Sequence, residues 1–319
     1  MDGIKIVLGG GSFWAQDDWP AEKAKAYLDL LAAGRIQEID SAQAYGDSEL
    51  ILGVNGASER FAISTKVPGV MSPGSFRQRE VVARSQKSLE RLQTKQLDIL
   101  YLHSPDPSIP IEETLAGIQD LYEAGAFRRF GISNYTAEEV RKIYKYQNEK
   151  DWILPTVYQG NYNPVARTYE ADLFPTLREL GIAFYAYSPA AGGFLTKTKE
   201  QVLQGAGRFD KSSGPIADLY HALYNRPSLL EALAHWHEIA REAGSSPYNL
   251  AVRWVAFNSP LKSEHVDAVI VGSASLDRLQ DVFHGLSKGP LSHETVGRID
   301  ALWETVKHEA PVDNFSVNY

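Results

Sequence analysis

Short apolar segments alternate with longer segments of mixed polarity along the whole chain. Eight of the short segments are rich in the β-branched, aromatic and aliphatic residues that favour buried strands. They predict strands at residues 5–10, 36–41, 61–66, 97–103, 129–133, 156–159, 183–188 and 268–272. Between them, apolar positions with helical spacing predict helices at residues 21–33, 77–92, 111–124, 137–147, 169–180 and 229–243.

This alternation of strands and helices is typical of consecutive βαβ units with a parallel sheet. Eight predicted strands favour a closed barrel over an open sheet, so the predicted fold class is α/β, a (β/α)8 TIM barrel. A chain of 319 residues suits one such barrel. Because no linker or short-period repeat interrupts the pattern, we expect a single domain over residues 1–319.

Two segments lack a regular pattern. Residues 190–218 follow the seventh predicted strand and are rich in Gly, Ser, Thr and Lys, and residues 309–319 form a tail that contains Pro311. The loops that follow the strands of a barrel build its active site. We therefore expect both segments to lie at, or to cover, that face of the barrel.

The composition of the chain excludes several kinds of site and disfavours several classes of binding partner. The chain contains no cysteine, which excludes disulfides, thiolate metal sites and a cysteine nucleophile. Its formal net charge of −8 disfavours binding to nucleic acid or to anionic membranes. The first residues lack the pattern of a secretory signal, and no apolar run approaches the roughly 20 residues that span a bilayer. We expect a cytoplasmic protein whose partner is a small molecule.

Three consecutive predicted strands finish in an ionisable residue. These residues are Asp40, Lys66 and His103, and Tyr45 follows the first of them after five positions. A single strand-end aspartate is more often a turn or helix cap, but a barrel would bring all four side chains to one rim. No metal site is predicted, since His235 and His237 are two residues apart and point in different directions on a helix.

The four side chains suit the reduction of a carbonyl group. A free tyrosine has a pKa of about 10, too high for efficient proton transfer near neutrality. The ammonium of Lys66 would lower the pKa of Tyr45, Asp40 would hold the lysine, and His103 would orient the carbonyl oxygen. No protein side chain donates hydride, so a nicotinamide or flavin is required. A different barrel chemistry, in which the Lys66 amine forms a Schiff base, is the alternative that these residues leave open.

Several motifs resemble those of the aldo-keto reductase superfamily almost from end to end. They are EIDSAQAYG at residues 38–46, STK at 64–66, YLHSP at 101–105, GISNY at 131–135, YQGNYN at 158–163 and YAYSP at 185–189. The runs SPAAGGFLT at 188–196 and GRF at 207–209 resemble the aflatoxin-aldehyde reductase branch in particular. By this resemblance, Asp40, Tyr45, Lys66 and His103 form the catalytic tetrad.

The resemblance also implies the cofactor NADPH, extended over the barrel mouth without a Rossmann domain. Asp40 counts among its contacts, and Tyr187 is expected to stack on the nicotinamide. The carboxamide is expected to be held by Ser133, Asn134 and Gln159. The loop over the pyrophosphate is expected to contribute Ser188, Pro189, Gly193, Leu195 and Lys197, with Arg208 close by. The adenosine 2′-phosphate is expected at Gly272, Ser275 and Arg278.

The adenosine end departs from the pattern of the family. Many relatives have a lysine at the position of Gly272 and an asparagine at the position of Val282. Arg278 and Arg208 remain as phosphate-binding groups, because a guanidinium suits phosphate geometry. We therefore predict a preference for NADPH over NADH.

Substrate contacts are predicted at His103, Trp14 and Tyr220. Members of the branch that take small acidic aldehydes present a tyrosine and an arginine to the substrate carboxylate. Tyr220 fits the tyrosine, but Leu223 stands at the position of the arginine, with His221 nearby, so the carboxylate would lack its natural partner. We predict that small acidic aldehydes are poor substrates and that bulkier neutral or aromatic carbonyl compounds are better ones.

Two questions stay open at this point. Phe13 and Trp14 form either an apolar wall of the substrate pocket or plugs beneath the first loop. The chain is either an NADPH-dependent carbonyl reductase or a non-catalytic nicotinamide-binding subunit that resembles potassium-channel β-subunits, because those subunits retain such residues. The branch resemblance also suggests a homodimer.

Overall fold

The computed structural model of the protein describes residues 3–315. Eight parallel strands pair in the order of the sequence, and the last pairs with the first to close a barrel. The strands are β1 (Lys5–Gly9), β2 (Glu38–Asp40), β3 (Ala62–Val67), β4 (Leu97–Leu102), β5 (Phe127–Ser133), β6 (Pro155–Asn161), β7 (Ala183–Tyr187) and β8 (Ala268–Gly272). The predicted (β/α)8 TIM barrel is confirmed, and each predicted strand is present.

Helices surround the barrel. They are α1 (Ala21–Ala33), α2 (Ser48–Val54), α3 (Gln78–Arg91), α4 (Ile111–Glu123), α5 (Ala137–Glu149), α6 (Leu173–Leu180), α7 (Lys199–Leu203), α8 (Pro215–Tyr224), α9 (Pro227–Glu242), α10 (Pro247–Arg253), α11 (Leu276–Ser287) and α12 (His293–Val306). The six predicted helices correspond to α1, α3, α4, α5, α6 and α9. The predicted irregular segment 190–218 is wrong in part, because it contains α7 and the start of α8.

Strand register determines which side chains point into the barrel. Asp40 pairs with Ser64 and Lys66 pairs with Tyr101, and the outward neighbours of these residues pack against the helices. The barrel interior below the rim is largely apolar and includes Val7, Ile99, Val157, Tyr185 and Ile270. The ionisable groups at the strand ends therefore rest on a packed core, which leaves them accessible only from the rim.

An ion network closes the opposite end of the barrel. Lys5 lies 2.6 Å from Glu38, and Arg129 lies 2.5 Å from Asp98 and 3.6 Å from Glu38. The hydroxyl of Tyr185 donates to Glu38 at 3.2 Å, so each of these charges has a partner. Within residues 3–315, no helix combines the length and the apolar character needed to cross a membrane.

Candidate active site

Lys66 and Asp40 form a buried ion pair at the rim. The Lys66 side chain is fully buried, and its Nζ lies 2.5 Å from Asp40 Oδ2 and donates to the Ser41 carbonyl at 2.7 Å. Gln159 Nε2 donates to Asp40 Oδ1 at 2.9 Å. Burial raises the pKa of Asp40, while the charge of Lys66 and the hydrogen bonds of Lys66 and Gln159 oppose that rise. Asp40 is thus held at one oxygen by Lys66 and at the other by Gln159.

Tyr45 lies above this pair on the loop between β2 and α2. Its ring centroid is 5.0 Å from Lys66 Nζ, and its side chain is half-buried. Burial raises the pKa of Tyr45, and the ammonium of Lys66 acts in the opposite direction. The effect predicted for Lys66 is therefore present, but burial outweighs it and the net direction of the pKa is upward.

His103 follows β4 and faces Tyr45. The two rings meet edge to face with centroids 5.8 Å apart, and the ring of Phe315 lies 5.9 Å from His103 on another side. Burial, and then the nearby charge of Lys66, hold the pKa of His103 well below 6.5. His103 Nδ1 is buried and has no hydrogen-bond partner within residues 3–315. A neutral imidazole next to the tyrosine can donate one hydrogen bond and accept another.

A group of amide and hydroxyl side chains lies beside the tetrad. Asn134, with a φ of 64°, donates through Nδ2 to the His103 carbonyl at 2.8 Å and to Ser133 Oγ at 2.9 Å. Its Oδ1 accepts from the Tyr187 hydroxyl at 2.8 Å. The structure thus brings Ser133, Asn134, Gln159 and Tyr187, which the family resemblance names as nicotinamide contacts, together beside the tetrad.

The C-terminal tail reaches the same rim. The backbone N–H of Asn314 donates to the Tyr187 hydroxyl at 3.3 Å, and Phe315 contacts His103 as described. The tail was predicted to cover this face, and its described part does so. Residues 316–319 of that prediction lie outside the described residues.

The loop after β7 has an unusual backbone. Ser188, Ala191, Gly192 and Gly193 have φ values of 53°, 55°, 64° and 95°. Lys197 Nζ donates to the Gly193 carbonyl at 3.3 Å, which ties the end of the loop back to Gly193. The predicted cofactor residues Pro189 and Leu195 are buried, so their side chains pack beneath this loop.

Three cationic side chains approach one another at the edge of this loop. Burial lowers the pKa of Lys197, and the charges of Arg278 and Arg208 lower it further. None of the three forms an ion pair with an acidic group in the part of the chain that the structure describes. The neighbouring Ser275 caps helix α11 by accepting from the Arg278 N–H at 3.3 Å, and a Cβ at Gly272 would meet open space. The cluster therefore has room and charge for an anion.

Arg208 also faces the tetrad, which the sequence did not predict. Its guanidinium donates to the Tyr220 hydroxyl, and both groups act electrostatically on Tyr45. Leu223, which stands where an arginine was sought, is fully buried and is not exposed to a substrate. This position of Arg208 was missed, because nothing in the sequence indicates that its loop folds back toward α8.

The structure distinguishes between the two interpretations of Phe13 and Trp14 in the first loop. Phe13 is buried and packs against Trp19 and Tyr27 with ring centroids 4.3 and 5.7 Å away, so it is a plug. Trp14 is 49% exposed, and its carbonyl accepts from the N–H of Asp47 at 2.9 Å, two residues beyond Tyr45. Trp14 thus lies at the rim next to the tetrad.

Comparisons with known proteins identify relatives that match most of the chain. The Aldo/keto reductase family model matches residues 5–304. The chain is 36% identical to the oxidoreductase sirO of Leptosphaeria maculans, over 96% of this chain and 95% of that protein. It is 38% identical to the human aflatoxin B1 aldehyde reductase member 2, over 97% of this chain and 89% of that protein. It is also 38% identical to the human aldo-keto reductase family 7 member A3, over 96% and 95%.

One of these relatives is named as an oxidoreductase and the other two as reductases. Proteins of this family are oxidoreductases that act on small carbonyl compounds and generally use nicotinamide cofactors. The matched region spans all eight strands of the barrel and therefore includes every strand end that carries the tetrad. The barrel fold, the family match and these relatives together show that the chain belongs to the aldo/keto reductase family.

Proposed function

We propose that this protein is an NADPH-dependent reductase that converts an aldehyde or ketone to an alcohol, with Tyr45 as the proton donor. The observation that carries the proposal is the buried Lys66–Asp40 pair, whose ammonium lies 5.0 Å from the ring of Tyr45. A fixed cation stabilises a phenolate more than a phenol, so it favours release of the proton. We propose one domain over residues 1–319, located in the cytoplasm and assembled as a homodimer.

In this proposal each tetrad residue has one task. His103 is neutral and donates a hydrogen bond that orients the carbonyl oxygen near Tyr45. Tyr45 passes its hydroxyl proton to that oxygen as negative charge develops, and Lys66 stabilises the resulting phenolate. Asp40 keeps Lys66 in place from below. The nicotinamide, when bound, supplies the hydride.

The residues at the rim fit a nicotinamide cofactor. Ser133, Asn134 and Gln159 present the amide and hydroxyl groups that a carboxamide requires, and Tyr187 offers an aromatic face. The loop that contains Ser188, Pro189, Gly193, Leu195 and Lys197 would cover the pyrophosphate.

The same fit favours the phosphorylated form of the cofactor. Lys197, Arg208 and Arg278 repel one another and lack acidic partners within residues 3–315, so a phosphate dianion would relieve an unfavourable arrangement. A Cβ at Gly272 would meet open space, and Ser275 caps the helix that contains Arg278. We propose that NADPH is preferred over NADH for this reason.

For the substrate we propose a bulky neutral or aromatic carbonyl compound. The exposed ring of Trp14 lies beside Gly46, the residue after Tyr45, and the ring of Phe315 lies 5.9 Å from His103, so the two rings would give the substrate apolar walls. Arg208 contacts Tyr220 and would attract a substrate carboxylate if it were free to do so. Under this proposal Arg208 is engaged by a phosphate of the cofactor, which leaves Tyr220 alone on the substrate side.

The experiment follows NADPH absorbance with purified protein and a panel of aromatic, aliphatic and acidic aldehydes, ketones and quinones. We expect turnover, with kcat/KM for an aromatic aldehyde above that for succinic semialdehyde. Equal values for the two would contradict the substrate class only. Tight NADPH binding without turnover of any carbonyl compound would contradict the reductase and support a nicotinamide-binding subunit.

A further inference from the structure

The residue proposed as proton donor is held by a loop, not by a regular element. Strand β2 ends at Asp40 and helix α2 begins at Ser48, so Tyr45 lies between them. Within the loop, the Tyr45 N–H donates to the Ala42 carbonyl at 3.0 Å. Such a turn fixes local shape but leaves the position of the whole loop to contacts with its surroundings. The contacts on Gly46 and Asp47 are therefore informative.

The residue after Tyr45 is clamped from two sides. Gly46 has a φ of 54°, and a Cβ there would lie 2.2 Å from the Trp14 carbonyl oxygen, so only glycine fits. On the first side, the Asp47 N–H donates to that carbonyl at 2.9 Å. On the second side, Arg91 Nη2 donates to the Gly46 carbonyl at 3.1 Å. Arg91 and Trp14 thus hold opposite sides of the Gly46–Asp47 peptide, which begins one residue after Tyr45.

Arg91 is itself held by a buried acid. It lies at the C-terminal end of α3, and its Nε is 3.5 Å from Glu49 Oε2, an ion pair without a hydrogen bond, while its Nη2 lies 3.8 Å from Asp47 Oδ1. The Glu49 side chain is 3% exposed, and its Oε1 accepts from Thr65 Oγ1 at 2.7 Å. Thr65 directly precedes Lys66 in β3. One chain of contacts therefore runs from the strand of Lys66 through Glu49 and Arg91 to the Gly46–Asp47 peptide, which begins one residue after Tyr45.

This connection has a chemical consequence. Proton transfer depends steeply on the distance between donor and acceptor, so a loop shift of about 1 Å lowers turnover on the order of 100-fold. We propose that Arg91 is a positioning residue that fixes the height of Tyr45 over Lys66, and that Glu49 and Thr65 hold Arg91 for this purpose. The inference rests on the proposed function, because it takes Tyr45 to be the proton donor.

The test compares Arg91→Met with Arg79→Met, an exposed arginine on the same helix whose side chain is 85% exposed. Each kcat is expressed per NADPH-binding site, so that a loss of folded protein does not count. For Arg91→Met we expect kcat to fall about 10- to 100-fold, with KM and the NADPH Kd within about two-fold of the wild type. We expect the solvent deuterium isotope effect on kcat to rise, because proton transfer becomes more rate-limiting. Arg79→Met should match the wild type.

Two further variants keep the test decisive. Arg91→Lys retains the cation without the fork of donors, so it should recover part of kcat and part of the isotope effect. Glu49→Gln keeps an acceptor for Thr65 but removes one of the two charges that pair with Arg91, the other being that of Asp47. It should therefore shift both readouts in the same direction as Arg91→Met, by a smaller amount. If Arg91→Met does not fold, these two variants are measured in its place.

Two results would overturn the inference. One is an unchanged kcat per binding site in the Arg91 variants. The other is a fall in kcat and thermal stability with no change in the isotope effect, which is what a purely structural role predicts. A wild-type protein that binds NADPH but reduces no carbonyl compound would instead contradict the proposed function, so the two failures are distinguishable.

Discussion

At the scale of single residues, the site depends on where charge is buried. A fully buried lysine is tolerated because Asp40, itself held by Gln159, lies 2.5 Å away. Asp40, Lys66 and His103 could be predicted from the sequence, because polar residues at the ends of apolar strands are conspicuous. The contact between Arg208 and Tyr220 could not be predicted, since it depends on how a glycine-rich loop folds back.

A pH prediction belongs at this scale. Burial holds the pKa of His103 well below 6.5 in the folded state, so the unfolded chain binds a proton more readily. The contribution to stability is therefore fully present above about pH 6.5 and is lost as the pH falls below it, by up to about 1.4 kcal/mol per pH unit. Denaturant unfolding at about pH 7.5 and pH 5.5 should show a smaller loss for His103→Gln than for the wild type. Equal losses would contradict a buried neutral histidine.

At the scale of elements, tight contacts between helices determine where the loops of the rim lie. Long amphipathic helices such as α3 and α4 were predictable from their apolar spacing. The short helix α2 was not, because seven residues that are mostly buried show little periodicity. Its position is set by packing, since a Cβ on Gly53 would lie 2.0 Å from the Arg91 carbonyl oxygen.

Substitution of Gly53 tests this packing. Gly53→Ala should push α2 away from the end of α3, which should destabilise the protein by about 1–3 kcal/mol. It should also lower kcat more than it changes the NADPH Kd, because α2 directly follows the loop of Tyr45. Urea unfolding and steady-state kinetics measure the two effects.

The matched control is Gly297→Ala in α12, where an added Cβ has open space. This change should stabilise the helix by about 0.5–1 kcal/mol, since alanine replaces glycine in a helix interior. A Gly53→Ala variant as stable as this control would show that the α2–α3 contact is not as close as described.

At the scale of the whole molecule, the barrel concentrates cations on an acidic protein. The net charge is −8, yet Lys197, Arg208 and Arg278 approach one another at one edge of the rim. The barrel itself could be predicted, because repeated alternation of strands and helices leaves few other arrangements. The detailed course of residues 190–218 could not, because left-handed residues such as Ser188 and Ala191 are set by tertiary contacts.

The cluster of Lys197, Arg208 and Arg278 predicts that removal of the Arg278 charge weakens binding of NADPH and not of NADH. Arg278→Met should weaken NADPH about 10- to 100-fold, the value of one charge-assisted hydrogen bond or two, while NADH binding changes little. Fluorescence titration with both cofactors gives the two dissociation constants. Equal weakening of NADPH and NADH would mean that Arg278 does not contact the 2′-phosphate.

The most direct test of the central claim is the turnover number of Tyr45→Phe with NADPH and the best carbonyl substrate of the panel. Removal of one hydroxyl leaves the ring in place over Lys66, so folding and NADPH affinity should stay close to those of the wild type. We predict that kcat falls by about 100-fold or more, which is the contribution expected of a general acid. A variant that keeps a kcat within a few-fold of the wild type would show that the proton comes from another group.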